Sequence, residues 1–195
     1  GVIPLAGVAA TIFILEKMNI SGWNMERLKR INNMFDNCCG MLSIDITDIK
    51  FPKLKSLGAM FYRCNKLNEI TGHESLNTSN IVNMYSMFSG CKSLEKLNLS
   101  KWNMDNVETI DFFLSDCENL KTIGDTSNWK LEKVEDVQYM FANCKKLTQL
   151  NLSNTRLKNI STFSYMFERC KSLTDITYLG TMEQWSHMTY DGYWG

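Results

Sequence analysis

Residues 80–107, NIVNMYSMFSGCKSLEKLNLSKWNMDNV, contain one complete unit of a repeat that runs through this chain. The central cysteine of the unit, Cys91, follows a Met-Phe pair and precedes leucines at regular offsets. Equivalent cysteines recur at intervals of 26, 27, 26, 27 and 26 residues, at Cys38, Cys64, Cys91, Cys117, Cys144 and Cys170. A constant period of this length indicates stacked repeats, in which each unit buries its apolar face only against its neighbours.

The apolar positions around each cysteine predict the local structure of the unit. Leucine, isoleucine or, in the first unit, methionine stands three and six residues after the cysteine. The alternation that follows suits a short strand with one buried face. Apolar residues ten and seven positions before the cysteine, such as Ile81 and Met84, have the spacing of a short helix or of 3₁₀ turns. We therefore predict an α/β solenoid, with a parallel strand ladder on one face and short helical or 3₁₀ returns on the other.

The alternating spacing predicts that every second corner of the stack is wider. The extra residue falls where glycines occur, at Gly72 and Gly124, and a glycine inserted beside a strand is typical of a bulge or a wider turn. We interpret residues 1–195 as a single domain. Residues 1–22 form an N-terminal cap and half repeat, 23–176 form about six repeats, and 177–195 form an aromatic C-terminal cap with Trp185 over the last core layer.

The repeated cysteines are predicted to be buried structural residues. Zinc sites gather thiolates at short spacings such as C-x₂-C, whereas these thiols come once per repeat among apolar neighbours. Parallel side chains also disfavour disulfides between adjacent units. Free cysteine then fills a narrow core position as a small apolar residue. Cys39 differs, because other units place Asn or a charged residue there, and we expect it to be the most exposed thiol.

Composition and motifs argue against an enzyme. The chain has 21 basic and 21 acidic residues, so neither nucleic acid nor an anionic membrane is an expected partner. No nucleotide-binding, hydrolase or metal-ligating motif is present, and we predict no catalytic residue, metal or cofactor. His73 could pair with Cys64 or Ser75, but a corner histidine is more often plain surface. Residues 124–128, GDTSN, supply one carboxylate, which favours a turn over a calcium loop.

The outward positions of the predicted strands are the candidate binding face. They lie five and seven residues after each cysteine and carry small, polar side chains of mixed charge. An ordinary solvated sheet surface is the alternative, because aromatic and arginine side chains that dominate protein interfaces are absent from this face. The candidate residues are Ser43, Asp45, Glu69, Thr71, Lys96, Asn98, Thr122, Gln149, Asn151, Asp175 and Thr177.

These motifs resemble a known family. Residues 80–107 closely resemble the BspA-like leucine-rich repeats of bacterial surface proteins, and residues 176–186, ITYLGTMEQWS, resemble the closing segment of related leucine-rich proteins. The fourth unit departs from the pattern with Phe113-Leu114, and the sixth has Thr155 where others carry Trp. The resemblance implies a right-handed leucine-rich-repeat solenoid, secretion or attachment at a cell surface, and a role in adhesion or protein binding.

We accordingly expect a non-catalytic surface or secreted module that binds a host or matrix protein, or a glycan, as a single copy. A structural spacer within a longer surface protein is the alternative, and an enzyme is less favoured. Residues 2–15 are apolar but too short to span a bilayer as a helix. We interpret them as part of the N-terminal cap, with a remnant of a processed leader as the alternative.

Overall fold

The computed structural model describes residues 15–156, 160, 164–183 and 185–186. Five three-residue strands follow the repeat: β1 (Lys17–Asn19), β2 (Ser43–Asp45), β3 (Glu69–Thr71), β4 (Gln149–Asn151) and β5 (Asp175–Thr177). One 3₁₀ helix, His73–Ser75, lies in the wider corner after β3. Most of the predicted N-terminal cap, and Tyr190, Tyr193 and Trp194 of the C-terminal one, lie outside the described residues.

The strands pair in parallel with a register of one repeat. β1, β2 and β3 form one sheet in that order, in which Met18 is opposite Ile44 and Ile44 is opposite Ile70. β4 and β5 form a second sheet. A single bridge between Lys96 and Thr122 continues the pairing through the third and fourth units. Each unit therefore lies directly on the next, as the cysteine period predicts.

A second ladder of isolated bridges joins the units on another side of the stack. Parallel bridges connect Arg30 to Ser56, Ser56 to Asn83, and Asn83 to Thr109, all eight residues before their cysteines. The neighbouring backbone also bonds between units, since the Leu57 N–H donates to the Asn83 carbonyl at 2.9 Å. Adjacent repeats are thus held together by backbone hydrogen bonds both at the strand ladder and along this second side.

The return segments are chains of tight turns. Of the short helical or 3₁₀ returns predicted from the sequence, the helical form is wrong, while single hydrogen bonds three residues back, as in 3₁₀ turns, recur in each unit. The Met87 N–H bonds to the Met84 carbonyl three residues back, but the next N–H, that of Phe88, donates to Phe113 of the following unit at 3.0 Å. In a continuous helix, both N–H groups would donate to carbonyls of the same segment. Two residues per unit also adopt positive φ, five before and immediately before the cysteine, which ends any helix and suits turns. An apolar spacing of three to four residues arises equally from consecutive turns.

The core consists of repeated layers. Phe35, Phe61 and Phe88 stack with ring centroids 5.5 and 5.6 Å apart, and Phe113 continues the row from the methionine position of the fourth unit. Trp102 and Trp129 are fully buried, whereas the equivalent Trp23 is 47% exposed. At the C-terminal end, the ring of Trp185 lies 5.8 Å from that of Tyr178 and packs on the core, while the cap itself stays a prediction.

The glycines of the two predicted wider corners adopt a left-handed backbone conformation. Gly72 and Gly124 have φ of +84° and +80°, values that side-chain-bearing residues rarely adopt. Across the ranges that the structure describes, none of the helical segments has the length and apolarity that a membrane span requires.

Candidate functional site

The eleven candidate residues lie on one side of the strand ladder, which we call the strand face. They alternate with buried side chains such as Ile44, Ile70 and Leu150, so the local backbone turns them outward. Glu69, Lys96 and the equivalent residues of the other units therefore share one surface. The placement follows the prediction, while a binding role stays a prediction.

Several strand-face residues stabilise the turns that follow the strands. Oδ1 of Asp45 accepts the Thr47 N–H at 2.9 Å, and those of Asn98 and Asn151 accept the Ser100 and Ser153 N–H groups at 3.2 and 3.1 Å. Hydrogen bonds from the side chain and backbone of Thr47 hold the pKa of Asp45 below its ordinary value. These residues shape the face. Glu69, Lys96, Gln149 and Asp175, each five positions after its cysteine, are exposed to solvent.

The C-terminal half of the strand face is concave. A depression of about 360 Å³ lies over the fourth to sixth units. Its lining comprises Thr122, Gly124, Asp125, Gln149, Leu150, Asn151, Asp175 and Thr177. Leu150 is nearly buried, so the accessible groups are hydroxyls, amides and two carboxylates. Asp125 is the one polar lining residue that the strand pattern missed, because it stands in the glycine corner beyond the strand.

Asp125 stabilises a turn through local hydrogen bonds. Its carboxylate accepts the Ser127 N–H at 2.9 Å and the Ser127 hydroxyl at 3.0 Å, and Oδ1 lies 3.2 Å from the Asn151 amide. Over the described ranges, no group of three or more His, Cys, Asp or Glu side chains converges as a metal ion would require.

A second, shallower depression of about 530 Å³ borders the strand face at the third unit. It is lined by Asn68, Ser93, Glu95, Lys96 and Asn119. Lys121 Nζ lies 2.7 Å from Glu95 Oε2, and this hydrogen bond and charge hold the pKa of Glu95 below its ordinary value. Both side chains are about half exposed, so the pair orders the surface more than it stabilises the fold.

His73 is a structural residue of the wide corner. Its Nε2 accepts the Asn98 N–H at 3.0 Å, which leaves Nδ1 to carry the proton and donate to the Ile70 carbonyl. Its own carbonyl accepts the Trp102 indole N–H at 2.8 Å. Both ring nitrogens are thus engaged with backbone, and the imidazole has no nitrogen left to activate Cys64 or Ser75. This geometry removes the catalytic pair that the sequence left open.

The repeated cysteines are buried and bonded between units. Each thiol from Cys64 onward lies 3.0–3.2 Å from the carbonyl of the residue three before the preceding cysteine, such as Cys91 with Phe61. Burial raises the pKa of the Cys91, Cys117 and Cys144 thiols, and that of Cys170 to about 12. Cys39 alone among the seven cysteines is only partly buried.

We expect Cys39 to be the first cysteine that a thiol reagent modifies in the native protein. The thiolate is the reactive form. Burial keeps reagents from all six repeat cysteines, and a raised pKa also suppresses the thiolate at Cys91, Cys117, Cys144 and Cys170. The hydrogen bond with Cys64 lowers the pKa of Cys38, so at that position protection comes from burial alone. Labelling with a maleimide at neutral pH, followed by peptide mass spectrometry, should give at least about tenfold faster modification at Cys39. The Cys39→Ser variant is the control and should leave the native protein nearly unlabelled. Rapid labelling of several repeat cysteines would contradict the buried ladder.

A row of aromatic side chains on the turn side was missed by the sequence analysis. Tyr85, Phe112, Tyr139 and Tyr165 come from four successive units. The Phe112, Tyr139 and Tyr165 rings stack 4.9 Å apart, and Tyr85 meets Phe112 edge-on at 5.9 Å. Tyr85 and Tyr165 are 44% and 37% exposed. The sequence does contain a signal for this row, since an aromatic residue stands five positions before the cysteine in three units. It was overlooked because it directly precedes the Met-Phe pair that defines the repeat.

Short parallel strands in register, leucines beneath them and turn-built returns define the chain as a leucine-rich-repeat-like protein. It belongs to the family described as "Mycoplasma protein of unknown function, DUF285", whose model matches residues 9–72 and 55–178. No curated protein matches the chain.

Two solved structures are similar to the chain. One is a leucine rich cell surface protein from Faecalibacterium prausnitzii A2-165, with 20% identity over 88% of this chain and a TM-score of 0.40. The other is a leucine-rich repeat protein from Bacteroides ovatus ATCC 8483, with 15% identity over 84% of this chain and a TM-score of 0.30. The chain spans 35% and 61% of the lengths of those two proteins.

Proposed function

We propose that this chain is a non-catalytic recognition module of a cell-surface or secreted protein, and that it binds a protein or glycan through the strand face. The fold we propose is a right-handed solenoid of the BspA-like type. The observation that carries the proposal is the polar depression of about 360 Å³ over the fourth to sixth units. Hydroxyl, amide and carboxylate groups that converge in a concave surface can hydrogen-bond an extended polar ligand such as a glycan or a peptide backbone.

The stiffness of the strand face supports the same proposal. Inter-unit hydrogen bonds fix the backbone beneath it, and Asp45, Asn98 and Asn151 lock the turns at its edge. A ligand that binds such a surface loses little free energy to ordering of the protein. The engagement of both His73 ring nitrogens with backbone favours recognition over catalysis.

The proposal is tested by replacing Gln149, Asp175 and Thr177, three exposed polar residues that line this depression, together with alanine. A glycan array and immobilised fibronectin and collagen serve as probes for the unmodified chain. For any probe that binds, we expect the triple variant to lose at least about tenfold in affinity, because each residue supplies a solvent-facing polar group. The control variant, Glu74→Ala with Lys101→Ala, changes exposed corner residues and should bind normally. Equal binding by both variants would contradict the strand face as the site and favour the spacer.

A further inference from the structure

One line of side chains on the turn side carries a charge pattern that reverses along the stack. Nine residues before the cysteines of five successive units stand Lys29, Lys55, Val82, Glu108 and Glu135. We call this line the charge column. Its first two members are basic, its centre is apolar, and its last two are acidic. The column is antisymmetric in charge about Val82. Lys55 and Glu108 are one unit away from Val82 on opposite sides, and Lys29 and Glu135 are two units away.

The backbone holds the charge column in register. The Lys55 N–H donates to the Lys29 carbonyl at 3.2 Å, the Val82 N–H to Lys55 at 2.8 Å, and the Glu108 N–H to Val82 at 2.8 Å. Successive members therefore stand about 4.8 Å apart, the spacing of paired strands. The four charged residues are exposed and Val82 is partly buried. The lysines and glutamates consequently lie at matched distances on either side of Val82.

The neighbouring line repeats this pattern at its ends. Eight residues before the cysteines, the bridged positions run from Arg30 through Ser56, Asn83 and Thr109, and the next unit places Asp136 there. Arginine thus stands at the basic end and aspartate at the acidic end. Beside the centre lies the exposed ring of Tyr85, the type of side chain that anchors protein interfaces.

We propose that this surface binds a second copy of this chain in antiparallel orientation. The two copies would be related by a two-fold axis that lies in the contact plane, perpendicular to the stack, at the level of Val82. This rotation reverses the direction of the stack and places each line of side chains against the same line of the other copy. Lys29 then faces Glu135 of the second copy, and Lys55 faces Glu108. The same operation brings Arg30 opposite Asp136 and places Val82 and Tyr85 at the centre. A parallel arrangement would set like charges against each other.

The acidic end of the surface contains a polar group that this contact would compensate. Within the described residues, Oδ1 of Asp111 is buried and has no hydrogen-bond partner. Burial and the nearby carboxylate of Asp136 raise the pKa of Asp111 to about 6. In the antiparallel pair, the Arg30 guanidinium of the second copy approaches this carboxylate pair and offsets its charge. Within the single chain, Asp136 accepts hydrogen bonds from the backbone N–H and the side-chain amide of Gln138 at 2.8 and 3.0 Å. The arginine of the second copy would add a positive charge to these neutral donors.

The expected association is weak and sensitive to salt. The charge column extends over only about 20 Å at the strand spacing, so the contact is smaller than the roughly 800 Å² per partner of a standard interface. Several exposed ion pairs supply most of its specificity, and salt screens them. The proposal departs from the single copy that we expected from the sequence. We now expect the monomer to dominate only at high ionic strength.

Sedimentation velocity of the unmodified chain tests the proposal at about 20 mM and about 500 mM NaCl, conditions between which the Debye length falls several-fold. We expect a concentration-dependent dimer at low salt and monomer at high salt. Monomer at both ionic strengths up to millimolar chain, or a dimer that salt leaves unchanged, would overturn the proposal.

Charge reversal identifies the contact. Lys29→Glu with Lys55→Glu, and separately Glu108→Lys with Glu135→Lys, should each be monomeric at low salt. A mixture of these two variants should form a heterodimer, because four opposite-charge pairs return. The variant with all four substitutions regains the reversed pattern and should self-associate within about threefold of the unmodified chain.

The matched control separates contact from net charge. Lys66→Glu with Lys146→Glu changes net charge by the same amount at exposed positions of another line, and should still dimerise. Circular dichroism verifies that every variant is folded. Failure of the mixture to associate, or loss of the dimer in the control, would overturn the antiparallel contact. These results do not depend on the strand face, so they stand apart from the binding experiment.

Discussion

Replacement of Trp102 by alanine is expected to lower the free energy of unfolding by about 3–5 kcal/mol, the range for large aromatic truncations in a packed core. The indole is fully buried. Its centroid lies 6.1 Å from that of Phe88 and 6.3 Å from that of Phe113, so it joins two units. Its N–H also donates to the His73 carbonyl at 2.8 Å, and truncation would leave that carbonyl without its partner.

Urea unfolding followed by circular dichroism measures the effect, with two matched controls. Trp23 is the same residue at the equivalent repeat position but is 47% exposed, so Trp23→Ala should cost less than about half as much. Trp102→Phe keeps most of the apolar contact and loses the hydrogen bond, and we expect a loss of about 1–2 kcal/mol. Equal destabilisation by Trp23→Ala and Trp102→Ala would show that packing between units does not set the stability.

The difference between these tryptophans marks the limit of the sequence pattern. The repeat assigns Trp23, Trp102 and Trp129 one position, but burial depends on a unit being covered on both sides. Trp102 has Phe88 and Phe113 around it, whereas Trp23 stands in the first unit. The cysteine period, by contrast, predicted the stacking, the buried thiols and the strand face, because each follows from register alone.

The returns show why local periodicity alone misled. Leu57, Met60 and Cys64 have a spacing that a helix would give, but their units bond sideways to the next repeat. The residues at positive φ include Phe112 and Tyr139. Unlike glycine, these residue types do not predict a turn from sequence. Stacking of their rings on the outer surface accompanies this conformation. The sequence of a single unit does not show whether its backbone N–H groups bond within the unit or to the next one.

The two proposed surfaces use different consequences of the repeat. The strand face gathers similar polar groups from several units, so the function we propose depends on their accumulation. The charge column depends on how one position varies from Lys29 to Glu135. Variation at an exposed position costs the fold little, because Val82 and its charged equivalents all stand outside the core. A solenoid can therefore carry two independent contacts on separate sides.

The corner glycine is the second position at which we expect a large effect. Gly72→Ala should destabilise the protein by about 3 kcal/mol, from left-handed strain together with a steric clash. Gly72 has a φ of +84°, and an added Cβ would lie 2.6 Å from the backbone N and Cα of Thr47. Backbone atoms cannot rotate aside as a flexible side chain can. Thr47 also accepts the Gly22 N–H at 2.8 Å, so a shift there would disturb the preceding corner.

Gly22→Ala separates strain from clash. Gly22 has a φ of +68°, but a Cβ added there meets nothing within 4 Å. This variant should therefore lose only the strain contribution, about 1 kcal/mol, and thermal and urea unfolding of both variants will measure the difference. A gap of about 2 kcal/mol between them is the clash with Thr47. If Gly72→Ala were no more destabilising than Gly22→Ala, the corner at Gly72 would tolerate a side chain. The alternation of 26- and 27-residue spacings would then not reflect close packing of that corner against its neighbour.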